Sequence, residues 1–176
     1  MSAGAPRVLV IGDSLTRDSR DLLEGDLVAS GWAPTVRCWG TMGTAWGRGQ
    51  IERAQTLGHL PDTVVVALGT NDIWWIGVPI HQGVADIMEA LGPERDVLWV
   101  NFAFGRHGVA NIPDTAQANA DLVAAATQFP NLRIVDFASA MSAASIDGAS
   151  WTDGIHLNEA ANRARVAAIV AALQQD

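Results

Sequence analysis

Val8-Leu9-Val10-Ile11-Gly12-Asp13-Ser14-Leu15 joins a short apolar run to a polar turn. Residues 8–11 read as a buried strand, so Ser14 sits just past its C-terminal end. In an open α/β sheet that edge is where ligands bind. A serine there can act as a nucleophile if a base comes within reach. The far end of the chain supplies a candidate in Asp153-Gly154-Ile155-His156. Together the two stretches point to a serine hydrolase or an acyltransferase.

Working outward from residue 8, apolar runs alternate with segments of helical period. Candidate strands cover residues 8–11, 35–39, 63–68, 97–102 and 133–137. Each is short, rich in Val, Ile or Leu, and bounded by Gly, Pro, Asn or Asp. Their near-continuous apolar character fits strands covered on both faces, as in a parallel sheet. Candidate helices cover residues 18–30, 49–58, 79–91, 113–129 and 158–173. Gly31 ends the first, Pro79 opens the third, and Pro130 follows the fourth. In the last, Ala, Val and Ile are expected along one face, with Arg163 and Arg165 on another. Five β–α alternations with right-handed crossovers predict a three-layer α/β/α sandwich. The expected five-stranded parallel sheet has the flavodoxin-like order 2-1-3-4-5, in a single domain spanning residues 1–176.

Composition narrows the function. The 176 residues are 49% hydrophobic and 17% charged, which fits one compact domain with a sizeable core. A net charge of −8 disfavours nucleic acid and anionic membrane, which call for a basic face. Residues 1–7 do not resemble a signal peptide, and no segment approaches a membrane span. A cytoplasmic location is the corresponding expectation. The single cysteine, Cys38, has no partner for an internal disulfide and reads as a buried, inert thiol.

Each piece of the candidate site has an ordinary structural explanation. Ser14 and Asp13 could be cap or turn residues. Asp153 could open a helix beside an unrelated histidine. Gly69-Thr70-Asn71-Asp72 could be a turn that caps the third strand, and Trp39-Gly40-Thr41-Met42-Gly43-Thr44 a Gly-rich turn after the second. Their combination is far more specific, because all should lie on one rim of the sheet. The Asp153–His156 spacing lets a carboxylate hold one ring nitrogen and leave the other free to take a proton. Asn71 can aim an amide N–H at a developing oxyanion, and a glycine after the second strand can aim a backbone one. Asp72 reads as a brace for its loop.

In this combination the chain resembles the SGNH hydrolases, also called GDSL-type esterases and lipases. The matching blocks are Gly12-Asp13-Ser14-Leu15, Gly43, Gly69-Thr70-Asn71-Asp72 and Asp153-Gly154-Ile155-His156, which span nearly the whole chain. The resemblance implies Ser14 as nucleophile, His156 as base and Asp153 as the residue orienting it. It implies an oxyanion hole from the Ser14 N–H, the Gly43 N–H and the Asn71 side chain, with Gly40 as the alternative to Gly43. The family often has Asn-x-Gly-x-x-Gly here. This chain has Cys38 in the asparagine position, which puts the bracing of the loop, though not a backbone donor, in question. The implied reaction is hydrolysis of a small or short-chain ester or thioester through an acyl-Ser14 intermediate. Transfer to an alcohol or amine is the alternative, and a non-catalytic binding module on the same fold ranks lower.

Seven tryptophans and no tyrosine stand out. Trp46, Trp74 and Trp75 are candidates for lining a substrate pocket, whereas Trp99, inside a strand, reads as core. Arg106 could anchor an anionic group on the substrate. The histidines lack metal-ligand spacing, so no metal is expected. No nucleotide-binding glycine motif follows the first strand, and no cofactor is expected. A phosphate-receiving domain of flavodoxin-like form would need a lysine after the last strand, and the chain contains none. The oligomeric state is not readable from the sequence.

Overall fold

A computed structural model describes residues 4–104, 115–143 and 153–175. Its strands are β1 (Arg7–Gly12), β2 (Ala33–Cys38), β3 (Thr63–Ala67), β4 (Asp96–Val100) and β5 (Leu132–Val135). All neighbours pair in parallel, in the order β2-β1-β3-β4-β5, as the sequence predicts. The helices are α1 (Ser14–Asp18), α2 (Arg20–Ala29), α3 (Thr44–Thr56), α4 (Ile80–Leu91), α5 (Thr115–Gln128), α6 (Phe137–Ala143) and α7 (Glu159–Leu173). A five-residue π-helical turn, Asp72–Ile76, lies between β3 and α4.

Period-two alternation divides the core between the sheet's two faces. Leu9 and Ile11 of β1 join Val64 and Val66 of β3 under Ile51, Val84, Ile87 and Leu122 from α3, α4 and α5. Val8, Val10 and Val65 point the other way, against Leu23, Leu27, Val166 and Ile169 from α2 and α7. Both faces are therefore buried, which is why the central strands lack polar alternation. Trp99 in β4 is fully enclosed, and its indole N–H donates to the Leu68 carbonyl at 3.1 Å.

Several boundaries differ from the sequence reading. The first helix begins at Ser14 and breaks at Ser19, whose hydroxyl donates to the Leu15 carbonyl at 2.9 Å. Such back-bonding competes with helix continuation. The segment expected at 49–58 starts at Thr44, because a buried carboxylate, Asp72, supplies the cap that local sequence does not. The short α6 escaped pattern reading. Cys38 is half-buried rather than buried, because β2 is an edge strand.

Arg165 is a correction of a different kind. It is 2% exposed, not on the polar face with Arg163. Two residues on a helix are about 200° apart, so Arg163 and Arg165 cannot share a face. Arg165 instead falls in the i, i+4 row of Ala161, Ile169 and Leu173, all buried.

Helices α3 and α4 meet where Gly83 faces Thr44. A Cβ at Gly83 would sit 2.3 Å from the Thr44 hydroxyl oxygen, which is itself held by Asp72 and cannot turn away. Gly83→Ala is expected to push the helices apart and destabilise the fold by about 1–3 kcal/mol. Urea unfolding would check this, and an unchanged midpoint would contradict it.

Candidate active site

The parallel register sets where the loops leave the sheet. Gly12 lies opposite both Cys38 of β2 and Ala67 of β3. The residues that follow each strand, Ser14, Gly40 to Gly43 and Gly69 to Asp72, therefore emerge at one rim. The Trp39 N–H donates to the Gly12 carbonyl at 3.2 Å, extending this pairing into the loop.

Asp13 caps α1 by accepting from the Leu15 N–H at 3.0 Å, which fixes Ser14 at the helix start. His156 comes from 142 positions away, on the turn before α7, where Asn158 caps the helix by accepting from the Ala161 N–H. His156 Nε2 lies 2.9 Å from Ser14 Oγ, and Nδ1 lies 2.7 Å from Asp153 Oδ2. The other Asp153 oxygen accepts from the backbone N–H groups of Ile155 and His156, at 3.0 and 2.7 Å. Gly154 makes this tight return possible with a φ of 90°, in the left-handed region.

Partial burial pushes the Asp153 carboxyl upward. The His156 ring and the two backbone donors outweigh it and hold the pKa at about 2. Asp153 is thus ionised at neutral pH and can only accept, so His156 Nδ1 carries the proton. Nε2 then has its lone pair toward the Ser14 hydroxyl. A basic nitrogen aimed at a serine oxygen at the start of a helix is the arrangement needed to activate that oxygen as a nucleophile.

Asp72 braces the rim, as its loop position suggested. It is buried, and both its oxygens lie 3.0 Å from the Thr44 N–H. It also accepts from the Thr44 hydroxyl at 2.6 Å. Gly43, directly before α3, packs so closely that a Cβ would meet Ile76 at 2.6 Å and Asp72 oxygens at 2.8 and 2.9 Å. At Gly40 a Cβ would meet within 3 Å only the tip of Arg17, a side chain free to move aside. The brace thus holds Gly43 more firmly than Gly40. Asn71 donates through Nδ2 to the Met42 carbonyl at 3.0 Å, tying the third-strand loop to the second. Asp72 and Thr44 thereby bind together the loops that the absent asparagine at position 38 left in question.

The pocket candidates fare differently. Trp46 is half-buried and packs on the core, while it also lines an open cleft of about 480 Å³ with Cys38, Trp39, Met42 and Gln50. Trp74 meets Phe104 edge-on, with ring centroids 6.2 Å apart, whereas Trp75 is 77% exposed. Arg106 lies outside the described residues. Trp39, beside the Gly40 turn, is likewise exposed and lines the same cleft as Trp46. Among the described residues, no helix is long and apolar enough to cross a membrane.

A family model described as the GDSL-like Lipase/Acylhydrolase family matches residues 10–164. The chain is similar in structure to a member of the lipolytic protein G-D-S-L family from Veillonella parvula. The TM-score is 0.80 at 16% identity, covering 98% of this chain and 100% of that one. It is also similar to the C-terminal catalytic domain of a peptidoglycan O-acetyltransferase from Streptococcus pneumoniae, solved with a methylsulfonyl adduct. There the TM-score is 0.79 at 20% identity, covering 98% and 94% of the two chains. An acetylxylan esterase from Geobacillus stearothermophilus follows with a TM-score of 0.77 at 17% identity, covering 100% and 98%. At these identities the likeness establishes the fold. No curated protein sequence matches the chain.

Proposed function

The chain belongs to the GDSL-like lipase/acylhydrolase family, and on that premise we propose that it is a serine esterase acting on small or short-chain carboxylic esters or thioesters. The observation that carries this reading is the unbroken series Ser14 Oγ, His156 ring, Asp153 carboxylate, with separations of 2.9 and 2.7 Å. Ser14 Oγ attacks the substrate carbonyl and passes its proton to His156 Nε2. Asp153 stabilises the imidazolium through Nδ1. The tetrahedral oxyanion is held by the N–H groups of Ser14 and Gly43 and by the Asn71 amide. That amide has a second N–H beyond the one bound to Met42. His156 returns its proton to the leaving alcohol or thiol, which leaves an acyl-Ser14 ester. Water then attacks that ester with His156 as base.

The same acyl-Ser14 could pass its group to an alcohol or amine, and the structural likeness to a peptidoglycan O-acetyltransferase favours keeping that reading. Product partition between water and added alcohols separates the two.

The deciding experiment is intact mass and peptide mapping after treatment with a fluorophosphonate. One adduct, on the Ser14 peptide, is expected. A folded protein that takes no adduct would overturn the reading.

A pH dependence follows from the geometry. With Asp153 held at about 2, it stays charged throughout the mildly acid range. Protonation of Asp153 should therefore contribute nothing to the acid limb of kcat/KM in that range. A ¹³C titration of the Asp153 carboxyl with its midpoint between about pH 4 and 6 would contradict this.

A further inference from the structure

Four polar residues lie buried directly beneath the turn that carries Ser14, and the steps described above use none of their side chains. Arg165 of α7 donates through Nη2 to the Thr16 hydroxyl of α1 at 3.2 Å. Its guanidinium stands over the Phe137 ring, 5.9 Å from the centroid. Asp13 and Thr16 are fully buried, and Thr70 is nearly so. Arg165 Nη1 and Asp13 Oδ2 have no hydrogen-bond partner among the described residues. Arg165 and Thr70 also line a small cavity with Asn101 and Phe102, with about 10 Å³ of room, roughly that of one water.

A buried guanidinium is costly, and a better-packed apolar residue would often serve stability as well or better. Its presence therefore calls for a reason other than stability. Two elements meet at Arg165. Thr16 lies two residues after Ser14, and Arg165 lies on the helix that follows His156. The opposite charge of Asp13, one residue before Ser14, supports the guanidinium. Burial raises the Asp13 carboxyl to about 6, with Arg165 and the Leu15 N–H pulling the other way. Each charge is thus kept in part by the other.

We propose that Arg165 is a positioning residue for catalysis, clamping α7 to the turn between β1 and α1 through Thr16 and Asp13 and so holding His156 Nε2 against Ser14 Oγ. This rests on the reading of Ser14 as nucleophile and His156 as base. The clamp spans the two ends of the chain, so no local hydrogen bond replaces it. A displacement of the base by about an ångström is enough to lower a rate on the order of a hundredfold.

The test compares wild type with Arg165→Met, Arg165→Lys, Thr16→Val and the Thr16→Val/Arg165→Met double variant. Arg165→Met should fold, lower kcat by about a hundredfold and leave KM within about twofold, because substrate contacts are untouched. Arg165→Lys, which keeps the charge, should restore part of kcat. Thr16→Val should act in the same direction, and the double variant should be no worse than Arg165→Met alone. Fluorophosphonate labelling should slow in parallel with kcat. A lower melting temperature with unchanged kcat and labelling rate in the folded fraction would overturn the proposal and leave Arg165 merely structural. Should Arg165→Met fail to fold, Arg165→Lys and Thr16→Val carry the same readouts. The ¹⁵N resonances of His156 provide a reading independent of turnover. If wild type takes no adduct, the esterase reading fails. The clamp then stands or falls by whether the Nε2 resonance moves in these variants.

Discussion

Ser14→Ala is expected to abolish fluorophosphonate labelling and lower kcat by about 10⁶-fold, and Asp153→Asn to lower it by about 10⁴-fold while still permitting slow labelling at Ser14. The difference in magnitude has a structural origin. Alanine removes the attacking oxygen. Asparagine at 153 retains a side chain of the same shape, but its amide can donate where the carboxylate only accepted. The His156 ring is then free to carry its proton on Nε2, the nitrogen that must accept from Ser14 Oγ 2.9 Å away. A minority of molecules in the productive tautomer accounts for residual activity. Neither substitution should cost much stability. The Asp153 side chain is 54% exposed, and Ser14 loses only a hydroxyl. Far-UV circular dichroism and a thermal melt check folding, and single-turnover rates check chemistry. Equal losses in the two variants would mean that Asp153 does more than orient the ring.

The second large effect is expected at Asp72, which touches neither Ser14 nor His156 in any hydrogen bond described. Asp72→Ala removes the acceptor for both the Thr44 N–H and the Thr44 hydroxyl, in a place where neither reaches water. Each buried donor left without a partner costs about 1–3 kcal/mol, so a loss of roughly 2–6 kcal/mol is expected for the two. Against a typical total of about 5–15 kcal/mol, that is a large share. Activity should fall as well, because the same carboxylate fixes the loop of Gly43 and sits beside Asn71. Loss of one oxyanion donor lowers rates on the order of a hundred- to a thousandfold. Asp72→Asn keeps one carbonyl acceptor and should show a smaller loss of stability. Urea unfolding and kcat on the same samples test both parts. A change below about 1 kcal/mol for the alanine variant would mean that Thr44 finds another acceptor.

Much of this is legible in the sequence alone. The strands at residues 8–11 and 63–68 announced themselves because both faces of a parallel sheet are covered, which forces apolar side chains at every position. The Asp153–His156 pair was legible because its members are three residues apart and joined by a local turn. Thr44 as the start of α3 was not, since its cap comes from Asp72, 28 residues away. Cys38 reads as buried from its neighbours, but exposure depends on which strand lies at the sheet's edge. Arg165 lay in a readable row, Ala161, Arg165, Ile169 and Leu173, yet its charge suggested solvent. Only the packing of α7 against α2 and the sheet shows that it faces inward.

What the sequence by itself determined is therefore the set of elements, their layering and the identity of the chemical groups, because hydrophobic period and local turn geometry are properties of neighbouring residues. The meeting of Ser14 with His156 and the bracing of the rim by Asp72 were decided only in three dimensions. So was the burial of Arg165 beneath the nucleophile. Each depends on contacts between residues far apart in the chain, whose distances follow from how the helices pack on the sheet and not from any local pattern.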